Sequence, residues 1–188
     1  MQRIISRQVA SAGRDLYTTE PKDVERFLRA LKRDRLKLSE PIWEPAAGQG
    51  DISKTLMRYG HNVYSTDICP YKDGSIEIPP LDFFTGGNDF QCKTILTNPP
   101  FNKHEEFLLR ALSLNVDVVF FVRLSFLASI RRLKIFKRYK PTYVYIYSGR
   151  AHCYKNGDRD KSQNMIDYCW MMWQYPYPRI DPSLRWIE

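Results

Sequence analysis

The chain has 188 residues, 43% of them hydrophobic and 27% charged, with a formal net charge of +8. That length suits one domain with a proper core, and that balance excludes a disordered or fibrous chain. No apolar run approaches a membrane span and the N-terminus lacks a signal-peptide core, so the expected compartment is the cytoplasm and no membrane partner is expected.

The basic excess favours a polyanionic partner. Cys69, Cys92, Cys153 and Cys169 form no C-x-x-C pair, which points to single buried thiols and not to a zinc knuckle. His61, His104 and His152 are scattered, so no metal site is expected.

Residues 1–14 are polar and basic. Arg3, Arg7 and Arg14 suit a flexible basic arm as well as a plain disordered terminus. Tyr17-Thr18-Thr19-Glu20-Pro21 reads as a helix entrance, with Thr19 as the N-cap and Pro21 in the first turn. Val24, Phe27, Leu28 and Leu31 recur at i, i+3, i+4 and i+7, which predicts one buried helical face.

A second anchor runs from Pro41 to Asp51. A short strand, Ile42-Trp43-Glu44, leads into Pro45-Ala46-Ala47-Gly48-Gln49-Gly50, and a helix follows from Ile52 to Arg58. The glycines let a ligand lie against the backbone, and the helix start supplies unpaired N–H groups. Ser53 stands where a dinucleotide fingerprint has its third glycine. Glu44 opposes a pyrophosphate but suits a cationic amino-acid group. The loop therefore favours a ligand with ammonium and sulfonium charges, and a nicotinamide-dependent dehydrogenase fits least.

Residues 61–66 read as a second strand ended by Asp67, which is placed either to bind a ribose diol or simply to end the strand. In Leu81-Asp82-Phe83-Phe84, Asp82 can accept from an adenine amino group while Phe83 packs on its ring. The run Thr94-Ile95-Leu96-Thr97 reads as a buried strand, stopped by the prolines of Asn98-Pro99-Pro100-Phe101. In an open α/β sheet, ligands bind at such carboxyl ends. Asn98 offers an acceptor and two donors, the Pro99 carbonyl is a fixed acceptor, and Phe101 is a flat apolar plate. Together they suit a planar group bearing NH2, such as a nucleobase.

Phe107, Leu108, Ala111 and Leu112 predict a helix on the sheet, and Val116 to Val122 a central parallel strand buried on both faces. Arg123 stands at that strand's carboxyl end. Arg131, Arg132, Lys134, Lys137, Arg138 and Lys140 fall on a predicted helix with Ile130, Leu133 and Phe136 inward. Such a run is either a nucleic-acid face or a solvated one. Thr142 to Tyr147 predicts a strand, 151–163 a polar loop, and Ile166 to Trp173 the last strand.

These segments stand in the order found in class I S-adenosylmethionine-dependent methyltransferases. Within that class the chain resembles the small phage and prophage-type N6-adenine DNA methyltransferases, over residues 15–175. The specific segments are Trp43-Glu44-Pro45-Ala46-Ala47-Gly48-Gln49-Gly50 and Asn98-Pro99-Pro100-Phe101; those around Tyr17, Asp67, Asp82, Arg123 and Trp170 support them. The resemblance implies a three-layer Rossmann-like α/β fold, with a seven-stranded, mostly parallel sheet containing one antiparallel strand. The chain reads as one methyltransferase domain over 15–188, and its length departs from larger members of the family in leaving no room for a separate target-recognition domain.

The resemblance further implies S-adenosyl-L-methionine as the cofactor. Glu44, Ala46, Gly48 and Gly50 would hold its methionine part, near Tyr17, Thr19 and Asn98. Asp67 would take the ribose, and Asp82 and Phe83 the adenine. Asn98, Pro99, Pro100 and Phe101 would form the catalytic quartet for direct displacement onto adenine N6 in DNA. An RNA base or a protein glutamine presents the same planar nitrogen, and a catalytically dead nucleic-acid-binding protein is the third reading. Target choice would be low, or come from a partner chain, a homodimer or the 151–163 loop.

Overall fold

The computed structural model describes residues 17–155, 166–178 and 180–188. The basic arm at 1–14 and most of the polar loop at 151–163 lie outside these residues. In chain order the elements are β1 (Tyr17–Thr19), α1 (Pro21–Arg33), β2 (Ile42–Glu44), α2 (Asp51–Arg58), β3 (Val63–Ser65), β4 (Tyr71–Lys72), β5 (Glu77–Ile78), β6 (Thr94–Thr97), α3 (His104–Ser113), β7 (Asp117–Arg123), α4 (Ile130–Arg138), β8 (Tyr143–Tyr147), β9 (Cys153–Lys155), β10 (Tyr168–Trp173) and β11 (Ser183–Ile187).

Seven strands form the main sheet, in the order β11-β8-β10-β7-β6-β2-β3. β10 runs antiparallel to both of its neighbours, and every other pair is parallel. Alternate residues of the strands feed two cores, as a pleat requires. On one face Leu96, Phe121, Trp170 and Met172 meet Val24, Phe27 and Leu31 of α1 and Ile52 and Leu56 of α2. On the other face Trp43, Ile95, Phe120, Met171 and Trp173 meet Phe107, Leu108 and Ala111 of α3. The result is three layers, helix on sheet on helix. Among the described residues no helix is long and apolar enough to cross a membrane.

Four expectations change. Thr19 does not cap α1; it ends β1, which pairs antiparallel with β9, and Glu20 takes the cap position without a side-chain bond. β7 is parallel to β6 but antiparallel to β10. A strand buried on both faces carries the same apolar run whichever way its neighbours point. β10 is not the last strand, because β11 follows it at the sheet edge, where half-exposed residues blur the alternation.

The fourth change concerns α4. Ile130 is 93% exposed and Leu133 is 48% exposed, while Ile135 and Phe136 touch the core. The helix is turned by Arg132, whose guanidinium donates to the carbonyls of Phe126 (2.7 Å) and Ser125 (3.3 Å) and lies over the Phe126 ring. A polar clamp, and not the apolar stripe, sets its rotation.

Trp43 is fully buried and donates from Nε1 to Thr66 Oγ1 at 2.9 Å. Gly87 closes over it at φ +76°, where an added Cβ would lie 2.1 Å from the indole. Gly87→Ala is therefore expected to cost about 2–4 kcal/mol in overpacking and backbone strain. The check is the urea midpoint at unchanged m. Gly74→Ala, which has open space and an ordinary φ, should leave that midpoint where it is.

Candidate active site

From β2 the chain passes through α2 to β3 on one side, then returns to pair β6 on the other side of β2. Such a switch in strand order opens a crevice at the strands' carboxyl ends. Glu44 ends β2 and Asn98 follows β6 there. The crevice is open to solvent, and Tyr17, Thr19, Glu44, Ala46, Gly48 and Asn98 all line it, with Thr18, Ala47, Asp51 and Ile52. The last four belong to segments that the sequence marks, but they are not singled out there as site residues. Gly50, Asp67, Asp82, Phe83, Pro99, Pro100 and Phe101 are not among the lining residues.

Glu44 is 1% exposed. Its Oε2 accepts from the Ser53 backbone N–H at 2.9 Å and, in a very short bond, from the Ser53 hydroxyl. Ser53 Oγ in turn accepts from Ser65 Oγ at 2.6 Å. Burial pushes the Glu44 carboxyl well above its ordinary range. The Ser53 bonds oppose that shift, and the charges of Asp51 and Asp67 add to it. A carboxyl in this state is relieved by a nearby cation. Ser53, legible in the sequence only as a missing glycine, holds this group from the first turn of α2, where the backbone N–H has no helical partner.

Gly50 caps α2 in the left-handed region at φ +77°, which turns the chain from β2 into the helix. Asp67 ties the loop to the end of β3. Its Oδ2 accepts from the Gly48 N–H at 2.8 Å, and its Oδ1 from the Cys69 N–H at 2.9 Å. Asp82 makes a local turn, accepting from the Phe84 N–H at 2.9 Å. Phe83 is 2% exposed, stacked on Phe107 at 4.7 Å and edge-on to Trp43 at 5.3 Å. Its ring fills the core beneath the loop, so it offers no open face to an adenine.

The Asn98 amide is oriented with little freedom. Nδ2 donates to the Tyr17 carbonyl at 3.1 Å, to Thr19 Oγ1 at 3.1 Å and towards Cys153 Sγ at 3.4 Å. A carbonyl can only accept, so the nitrogen must face Tyr17. Oδ1 is left buried, with no hydrogen-bond partner among the described residues. Leaving such an acceptor unmade costs about 1–3 kcal/mol, which a ligand donor would recover.

The Pro99 carbonyl accepts from His104 Nε2 at 3.0 Å, which fixes the proton on that nitrogen. One of its lone pairs remains for another donor. Phe101 is not an open plate. Tyr17 stacks on it at 4.2 Å, and the Arg123 guanidinium lies over it at 4.2 Å. Two groups at that distance take one face each. His104 and Cys153 carry no motif that marks them in the sequence, because strand pairing and loop closure bring them in.

Glu44 links stability to pH. An unfolded Glu carboxyl ionises near 4.5, whereas folded Glu44 keeps its proton to higher pH. Above 4.5 the folded state holds a proton that the unfolded state has lost, so this contribution to stability falls as pH rises through that window. Glu44→Gln should flatten the difference, and urea midpoints of both proteins between about pH 5 and 8 would measure it.

No protein-family profile matches the chain, and no curated protein matches it. Solved structures do. The methyltransferase subunit of a type I restriction-modification system from Streptococcus thermophilus aligns with a TM-score of 0.56 at 12% identity, covering 92% of this chain and 47% of that one. The type IIG restriction endonuclease BpuSI gives 0.54 at 15% identity, covering 82% of this chain and 25% of that one. A putative class I S-adenosylmethionine-dependent methyltransferase from Listeria monocytogenes gives 0.52 at 12% identity, covering 88% and 65%. The chain spans between a quarter and two thirds of these proteins. Its seven-stranded mixed sheet, with helices on both faces, is the Rossmann-like fold of class I S-adenosylmethionine-dependent methyltransferases.

Proposed function

We propose that the protein transfers a methyl group from S-adenosyl-L-methionine to the exocyclic N6 amine of adenine in DNA. The observation that carries this reading is the buried Oδ1 of Asn98, without a partner among the described residues, on a residue that lines the same crevice as Glu44. The residues fit the cofactor. Glu44, whose charged form is disfavoured by burial, suits an ammonium group. Gly48 lines the crevice without a side chain, and Asp67, bonded to the Gly48 N–H, stands just past β3, where a carboxylate meets a ribose diol.

When bound, S-adenosylmethionine supplies an electrophilic methyl group on a sulfonium. The rest falls to the chain. The lone pair of an adenine amine is delocalised into the ring, so the amine is a poor nucleophile. Asn98 Oδ1 and the Pro99 carbonyl accept its two hydrogens. They favour a pyramidal nitrogen and stabilise the positive charge that grows on it. Tyr17 and Thr19 keep the amide from turning its donors to the substrate. A base reaches Phe101 by displacing Arg123 or Tyr17 from the ring, and a base in a duplex must first leave the stack, at a few kcal/mol. The restriction-modification proteins of like fold support DNA as the acceptor.

Asn98→Ala is expected to keep calorimetric cofactor affinity and to lose transfer by on the order of 10²-fold or more. Tritiated cofactor offered with separate DNA, RNA and protein pools reads the acceptor. Label confined to RNA or protein would overturn DNA as substrate, and full activity of the variant would overturn the role of Asn98. Cofactor binding should also expel the Glu44 proton, because a cation favours the carboxylate. The binding enthalpy of the wild type should then vary with the ionisation enthalpy of the buffer, and that of Glu44→Gln should not.

A further inference from the structure

We propose that the outer face of α4 is the surface on which nucleic acid lies, with Ile130 acting as a wedge against the bases. The inference rests on the reading that the acceptor is a nucleobase. Residues 123–140 contain seven Lys and Arg residues and no Asp or Glu. Arg131 and Arg132 pair with Glu105, and Lys140 pairs with Asp181. Lys134, Lys137 and Arg138 are exposed and make no ion pair among the described residues.

Ile130, Leu133, Lys134 and Lys137 stand at i, i+3, i+4 and i+7, on one helical face. That face carries an isoleucine that is 93% exposed, a leucine that is 48% exposed and two unpaired ammonium groups. A solvated helix has no use for the first two, and a core-facing helix none for the last two.

The face is fixed relative to the crevice. Arg132 lies over the Phe126 ring at 4.7 Å, Phe126 meets the His104 ring edge-on at 5.3 Å, and His104 holds the Pro99 carbonyl at 3.0 Å. Ile130 begins the helix at this end, and the lysines follow along it. In the proposed arrangement a polymer with a base at Asn98 runs past Ile130 and on along the cations. Proteins that open a stack commonly insert an apolar side chain and hold the backbone with cations beside it. A base drawn out of a duplex leaves a gap for such a wedge. A second copy of the chain is a poor occupant, because an isologous contact would set two cationic faces against each other.

The test uses the full chain without cofactor, a fluorescein-labelled mixed-sequence duplex, and anisotropy over a range of salt. Lys134→Ala with Lys137→Ala should lower the slope of log affinity against log salt by about 1.8, or about 0.9 for each phosphate left without its lysine. Ile130→Ala should weaken duplex binding about three- to tenfold and leave that slope unchanged. No binding by the wild type, or unaltered slope and affinity in these variants, overturns the proposal. So does preference for phosphatidylserine–phosphatidylcholine vesicles over the duplex. Circular dichroism of each variant confirms that it is folded. The outcomes separate from those of the reaction. Variant-sensitive binding without methylation of any pool sinks methyl transfer and leaves the surface standing. Methylation by a protein whose binding ignores α4 does the reverse.

Discussion

An amide side chain has one acceptor and two donors, and in Asn98 the donors are committed to partners far away in the chain. Tyr17 and Thr19 come from β1 and Cys153 from β9, and these strands pair with each other across the tip of β6. The ribbon is itself anchored to α1. The buried Asp23 carboxylate accepts from Arg26 at 3.0 Å and from the His152 N–H at 2.6 Å, while the Glu20 N–H donates to the His152 carbonyl at 3.1 Å. The orientation of one oxygen thus depends on the first helix, the first strand and a late strand at once. A preorganised acceptor of this kind needs no rearrangement when its donor arrives.

Glu44 presents the complementary case. Among the described residues no cation offsets its burial, so the carboxyl stays protonated further up the pH scale. Two donors from Ser53 soften that cost without removing it. The crevice therefore holds one unmet acceptor and one carboxyl that lacks a cation. In the proposed reaction the cofactor's ammonium group meets the carboxyl and the acceptor's amine meets the oxygen. That coincidence constrains function more tightly than the fold does, because the fold alone carries many chemistries.

On α4 two rules compete. The apolar spacing of Ile130, Leu133 and Phe136 suggests an inward stripe, but Arg132 gains two carbonyls, a carboxylate and an aromatic face by turning the helix the other way. Charge-assisted bonds of that number outweigh the burial of one isoleucine and one leucine. Phe101 shows the same tension. An exposed ring beside a cation is covered by it, so the flat plate expected at the strand tip becomes the middle of a stack between Tyr17 and Arg123.

The sequence by itself determined the strand-ending motifs, the buried face of α1 and the glycine turn after Glu44, whereas the three-layer class followed from the resemblance to a known family. The first three are local periodicities and dihedral demands, and they need no knowledge of distant partners. Only the tertiary structure decided that Thr19 bonds Asn98 and does not cap a helix, that Ser53 holds Glu44, that Phe83 belongs to the core, and that Ile130 faces outward. Each of those outcomes is a choice between a local preference and a contact spanning many residues. The longer contact wins where it satisfies a buried polar group, because leaving such a group unpaired costs more than a cap or an apolar contact returns.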